Sequence, residues 1–418
     1  MPRNKALSLT AVAAAMALGL TACGGGGTES SGEGESSGSE AEPLQLGYVF
    51  PETGDLSFLG PPQIEAAGMA MQEINDAGGV LDQELPEILS GDEANDAAQA
   101  NEAASRLLDQ DVDAIMGAAA SGMTMAIIDK VTGAEVVQCS GSNTAPPLSD
   151  YDDGGYYFRT APSDALQGPI LADTILGDGH QSVAITYRAD DYGEGLANSA
   201  ADALEQAGAQ VTLQEGYDPK ASNFDSVVNA IANSDAEAVL MVSFEEGVQI
   251  IQGLLEAGIA ADQMYSADGL NDETLAEKVD EANPSAISGF KGTAPNVDNA
   301  EFTERLQEFA PDLEVFQFGP QVYDCVMLTA LAAEQAGSTD PAEFADDMVS
   351  VSKEGEQCSG FAECRDLIAE GTDIDYEGAS GSIDFDDNGD VTSTSIMVYG
   401  FNSDGEHEAL DYVDTGTE

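Results

Sequence analysis

Tryptophan is absent from the sequence, histidine occurs twice, cysteine five times, and only 12 lysines and arginines stand against 78 aspartates and glutamates. Each scarcity excludes something. With aromatics at 6%, the cores must be filled by Ala, Val, Leu, Ile and Met. A formal net charge of -66 rules out nucleic acid as a partner, because phosphate binding needs clustered Lys and Arg. His180 and His407 are too few to ligate a metal alongside either cysteine pair, and no Gly-x-Ser-x-Gly elbow is present. Neither a metal, nor a cofactor, nor a catalytic residue is therefore expected. After residue 20 no apolar run is long enough to cross a membrane.

What is present begins with an address. Arg3 and Lys5 precede an apolar run from Ala6 to Leu20, and Leu20-Thr21-Ala22-Cys23 has the form of a small-residue cleavage site ending in cysteine. Residues 1–23 resemble a bacterial lipoprotein signal peptide, which implies that Cys23 is lipidated and holds the chain to the outer face of the cell membrane. Residues 24–43, nearly all Gly, Ser, Glu and Ala, are expected to form a flexible tether. Four cysteines remain for an oxidising compartment. Cys358 and Cys364 bracket a Ser-Gly turn and are expected to pair locally, leaving Cys139 with Cys325. The excess of acid suggests a chain tuned to high salt, where screening relieves repulsion among carboxylates.

From residue 44 the pattern alternates. A strand over 44–50 is followed by a helix with Ile64, Gly68, Met71 and Ile74 at helical spacing. A strand near 86–89 leads to a helix opened by Asn95 or Asp96, then come the strand 112–117, a helix opened by Ser121, and the strand ending at Cys139. The alternation restarts after Ser163-Asp164 with a helix to Leu176. The strand 182–187, a Tyr192-Gly193-Glu194-Gly195 turn with its helix, and further units through residue 257 follow. Helices dominate beyond residue 293, with extended chain at 376–385. Repeated strand–helix units imply parallel sheets, and length implies two cores. The expected fold is α/β, two doubly wound parallel-sheet lobes with a ligand cleft between them, because such sheets bind at their strand C-termini.

Five motifs in order give the chain a family likeness: Thr53-Gly54, Glu73-Ile74-Asn75-Asp76-Ala77-Gly78-Gly79, Phe158-Arg159-Thr160-Ala161-Pro162-Ser163-Asp164, Asp191-Tyr192-Gly193-Glu194-Gly195, and Asp384-Phe385-Asp386-Asp387-Asn388-Gly389-Asp390. Over 44–418 it resembles the leucine/isoleucine/valine-binding proteins of ABC uptake systems, which have the type I periplasmic-binding-protein fold. The resemblance implies lobes formed by 44–162 with 293–385 and by 163–292 with 386–418, joined by three crossovers. It also implies an extracytoplasmic receptor that closes on an amino acid, branched-chain type foremost, or a similar small polar solute, and delivers it to a permease and its ATPase.

By the same resemblance Ser121 and Ser142, Asn143 and Thr144 would hold a ligand carboxylate, Tyr192 would form an aromatic wall, Asp268 would meet an amino group, and Leu59 completes the set. Asp268 is shorter than the family's glutamate, and Ser243-Phe244-Glu245 departs from its tyrosine-rich loop. A sensory receptor on the same fold and an extracellular hydrolase are the alternative readings. Arg159 is expected to be structural, whereas Arg188 fits either a salt bridge or an anion contact, and both histidines are placed at the surface. Asp384-x-Asp386-x-Asn388-Gly389 imitates half of a calcium loop, but its twelfth place is Ser395, so a tight turn is expected.

Overall fold

The computed structural model describes residues 42–416. The expected signal peptide, Cys23 and the tether through residue 41 lie outside the described residues.

Four short strands, β1 (Leu46–Val49), β2 (Ala114–Gly117), β3 (Val137–Ser140) and β4 (Tyr157–Arg159), pair in parallel in that order. Every residue in them is buried, as a parallel sheet covered on both faces requires. Between them run α1 (Gly60–Asp76), α2 (Ala97–Leu108) and α3 (Ser121–Thr132). Asp96 caps α2, its carboxylate accepting from the Ala98 and Gln99 amides. The strand expected at 86–89 reduces to isolated bridges at Leu89 and Asp92. Pro86, with no N–H to donate, shortens what can pair.

A second, seven-stranded sheet has the order β14-β13-β9-β8-β7-β5-β6. Its parallel part comprises β5 (Ser182–Arg188), β6 (Gln210–Tyr217), β7 (Ala238–Val242), β8 (Met264–Ser266) and β9 (Lys291–Pro295). Its helices are α4 (Asp164–Gly177), α5 (Asp191–Gln206), α6 (Asp225–Ala232), α7 (Gly247–Glu256) and α8 (Leu275–Val279). The residues Tyr192 to Gly195, expected as a turn, form the first turn of α5, capped by Asp190 through the Gly193 amide at 2.9 Å. Glycine is required there for a close approach, since a Cβ on Gly193 would lie 2.1 Å from the Arg188 carbonyl oxygen.

The later chain supplies α9 (Ala300–Phe309) and α10 (Gly319–Ala336) to the first sheet's core, and α10 is buried from Gly319 through Ala333. Strands β10 (Glu356–Cys358), β11 (Ile374–Gly378) and β12 (Gly381–Ser382) make a small separate sheet. The antiparallel hairpin β13 (Thr394–Phe401) and β14 (His407–Thr415) then extends the seven-stranded sheet, a feature the sequence reading does not contain. Three segments therefore pass between the sheets, after β4, after β9 and before β13.

Cys139 at the end of β3 is bonded to Cys325 in α10, with Cα atoms 5.8 Å apart, and Cys358 is bonded to Cys364. Near the first crossing the Thr160 hydroxyl donates to the Gln321 carbonyl at 2.7 Å. Asp384 to Asp390 is a tight turn: Asp386 Oδ1 accepts from the Asn388 and Asp390 amides, and Phe385 bridges Val391.

Candidate functional site

Both sheets turn their strand C-termini toward a shared gap. The start of α3 and the loop after β3 come from one sheet. The start of α5, the loop after β7 and the loop after β8 come from the other. They enclose a cavity of about 10 Å³ lined by Leu56, Leu59, Ala119, Ala120, Ser121, Ser142, Tyr192, Phe244, Asp268, Gly269 and Phe318. That is roughly the space of one water, so a larger occupant requires the walls to separate. A bigger cavity, about 630 Å³, opens farther out among Gly54, Asp55, Asp96, Lys220 and Glu245 and shares no lining residue with the inner one. The inner cavity has the polar groups that converge.

Ser121 begins α3, where unsatisfied amides and the helix dipole favour an anion. Part of that capacity is already engaged. The Ala119 and Ala120 amides donate to the buried Glu93 carboxylate at 2.8 and 3.2 Å, and burial pushes the Glu93 carboxyl up to about 8. The Ser121 hydroxyl accepts from the Ala145 amide at 3.3 Å. Ser142 lines the cavity with its hydroxyl between Gln63 Oε1 and the Ala119 carbonyl. Asn143 is fully engaged by the protein: its amide nitrogen donates to the Ala118 and Ala119 carbonyls, and its oxygen accepts from the Tyr157 hydroxyl. It braces the loop and does not line the cavity. The Thr144 hydroxyl is buried without a partner, while its carbonyl accepts from the Asp164 amide at 2.7 Å.

On the opposite wall, Asp268 Oδ1 accepts from the Tyr192 hydroxyl and from Gln167 Nε2, both at 3.0 Å. The Tyr192 hydroxyl in turn accepts from the Gly269 amide at 3.2 Å, so this tyrosine clamps the acid's loop as well as walling the cavity. Phe244 stacks on Tyr192 with ring centroids 5.2 Å apart. Behind it Arg188 lies 3.6 Å over the Phe244 ring and is paired with both Glu246 and Asp190. Of its two readings, the salt bridge holds, and no anion contact faces the cavity. Arg159 is wholly buried and bidentate on Asp390, with Ser149 and the Ala145 carbonyl as further partners. His407 is not a free surface residue. It stacks on Tyr399 at 5.3 Å and hydrogen-bonds Asn271, and burial lowers its pKa.

Phe244 and Phe318 line the cavity, and Asp164 and Gln167 lie behind its wall next to Asp268; none of the four is among the expected site residues. Asp164 is fully buried, and neither carboxylate oxygen has a partner. Burial first, and the nearby charge of Asp268 second, push its carboxyl well up from the ordinary value. Burial also pushes Asp268 up to about 6, against the hydrogen bonds from Gln167 and Tyr192. Its sequence signal, an acid at a helix start after Ser163, is the signal of any helix N-terminus. Asp268 thus lines the gap, Asp164 lies behind that wall one helical turn from the Gln167 that holds Asp268, and the nearest arginines are engaged elsewhere. Such a site accepts a donor-rich cationic group on one side and offers a helix start to an anion on the other.

A model of the periplasmic binding protein family matches residues 43–406. The Leu/Ile/Val-binding protein homolog 1 of Brucella melitensis is 27% identical over 306 residues, 72% of this chain and 80% of that protein. The leucine-, isoleucine-, valine-, threonine- and alanine-binding protein of Pseudomonas aeruginosa is 24% identical over 375 residues, 87% and 91% of the two chains. The structure of the branched-chain amino acid transporter substrate binding protein LivJ from Streptococcus pneumoniae, in complex with isoleucine, superposes with a TM-score of 0.73 at 22% identity, covering 89% of this chain and all of that one. With two wound lobes and a polar gap between their strand ends, the chain belongs to the periplasmic binding protein family.

Proposed function

We propose that the chain is the extracytoplasmic receptor of an ABC uptake system and that its solute is an amino acid, with the branched-chain type favoured. The observation that carries this reading is the two-pole cavity. Asp268, held by Tyr192 and Gln167, faces the helix start at Ser121 across a wall that includes Leu56, Leu59 and Phe318. An α-ammonium suits the first pole, an α-carboxylate the second, and an aliphatic side chain the apolar wall. The names of the Brucella and Pseudomonas relatives and the isoleucine in the Streptococcus structure point the same way.

Capture involves closure. One lobe runs over 44–162 and 296–391, the other over 163–295 and 392–416. These bounds lie a few residues beyond the breaks expected at 292/293 and 385/386; the membership of β9 in the second sheet and the bridge between Arg159 and Asp390 support them. Ser121, Ser142 and Thr144 lie on one lobe and Tyr192 and Asp268 on the other, so a solute touching both favours the closed form. A lipid on Cys23 and the tether keep the receptor beside its permease and ATPase.

A thermal-shift panel of amino acids, amides and simple carboxylic acids in molar salt tests the reading. A solute at 100 times its dissociation constant adds about 2.7 kcal/mol of stability. Asp268→Ala is expected to abolish the shift for amino acids. A panel in which no amine-bearing solute shifts the wild type defeats the reading.

A further inference from the structure

Asp164 and Gln167 stand one turn apart on the same face of α4. Both are completely buried, and three acceptor atoms, both Asp164 oxygens and Gln167 Oε1, have no donor. The Thr144 hydroxyl, also buried and unpartnered, belongs to the segment whose carbonyl accepts from the Asp164 amide. Gln167 Nε2 meanwhile ties α4 to Asp268 and to the carbonyl and hydroxyl of Thr293 in β9. Both acids therefore project from elements of the second sheet, and their proximity does not depend on how far the cleft is open.

A buried carboxylate with neither oxygen hydrogen-bonded is not sustained as an anion; it takes a proton. Two carboxyls sharing a dry site behave as a pair that holds its last proton tightly. The Thr144 hydroxyl and the charge of Arg159 pull the Asp164 carboxyl down, but less than burial and the charge of Asp268 push it up. Arg159 is committed to Asp390, and Asp272 is paired with Lys278. Tyr192 and Tyr399 stay neutral because burial and the charge of Asp268 raise both phenols.

We propose that Asp164 is a second acidic ligand of the solute, and that Asp164 and Asp268 hold one proton between them which a primary ammonium displaces on binding. The exchange balances. A singly protonated acid pair of charge -1 meets R–NH3+, one proton leaves to solvent, and two carboxylates then face one ammonium, again -1 in total. The three N–H bonds of a primary ammonium supply donors to Asp164, Asp268 and Gln167 Oε1, which a quaternary ammonium cannot. This rests on the amine-solute reading above. It adds that affinity rises with pH, about tenfold per unit while the pair retains its proton and the amine stays charged.

Two measurements decide it. Infrared spectra of the solute-free protein near neutral pH should show a protonated carboxyl stretch that Asp164→Asn removes. Calorimetric titration of L-leucine into wild type, in phosphate and in HEPES at one pH, should give heats that differ by the difference between the two buffers' ionisation enthalpies times about one proton. Asp164→Asn should weaken L-leucine by about 10- to 100-fold and release none. Saturable heat identical in both buffers overturns the proton exchange while leaving amine binding intact. Because Glu93 also holds a proton near neutral pH, the stretch is read in Glu93→Gln; its absence there overturns the shared proton without reference to any solute, even if Asp164→Asn does not fold. Absence of heat in both buffers, with the stretch present, retains the shared proton and counts against leucine as the solute.

Discussion

Glu93 shows how one residue can couple the candidate site to pH. Its carboxyl has an ordinary value of 4.5, and burial, resisted by the Ala119 and Ala120 amides, holds it at about 8. Between those values the folded chain keeps a proton that the unfolded chain has shed, so stability falls as pH rises through that window. The contribution is complete below the lower value and lost above the upper. Glu93→Gln removes the titration and leaves an oxygen for the same amides. Urea unfolding at about pH 5 and about pH 8 should show a smaller loss of stability in the variant, by at most about 5 kcal/mol. An unchanged loss would place the titrating group elsewhere. Asp164 is the instructive miss at this scale. In the sequence an acid at a helix start is explained by the dipole alone, and the burial that strips it of partners arises from α5, β9 and the loop after β3, all distant along the chain.

Elements were legible where the signal was local. Asp96, Ser163 and Ser121 announce their helices because capping and helix starts depend on a few adjacent residues. Tyr192 to Gly195 read as a turn because two glycines in four residues usually mean one. Here they let α5 pass close to the Arg188 carbonyl and to Pro146. The hairpin β13–β14 is missing from that pattern, although Asn402-Ser403-Asp404-Gly405 marks its turn, because the alternation of parallel units already closes both lobes. The helix α10 carries a prediction of its own. Cys139 and Cys325 are 186 residues apart, while Cys358 and Cys364 are six apart. Loop entropy in the unfolded chain makes the long link the larger contributor, about 5 kcal/mol against about 2. Replacing Cys139 and Cys325 by Ala should therefore lower stability about twice as much as replacing the short pair. Equal losses in denaturant titrations would show that the crosslinks act mainly on the folded state.

Across the whole molecule charge sets the terms. Arg159, Arg188, Lys220, Lys278, Lys291, Arg305 and Arg365 all sit in ion pairs, yet the formal charge remains -66. Repulsion among the surplus carboxylates opposes the compact state and fades as the screening length drops from about 10 Å at 0.1 M to about 3 Å at 1 M. The unfolding midpoint should rise between dilute buffer and molar KCl, and a flat or falling midpoint by calorimetry would contradict this. The surface pair Lys220–Asp96, at 3.6 Å beside the outer cavity, is screened by the same salt and cannot account for a rise. The hairpin has a further consequence at this scale. β14 is the outermost strand of the larger sheet, and a bare strand edge is a template on which a neighbouring chain can add its own backbone. Glu408, Asp411 and Asp414 lie along that edge, and a register shift interrupts its partner between Val398 and Tyr399. A second copy approaching edge to edge would set carboxylate against carboxylate, so chains crowded side by side stay separate.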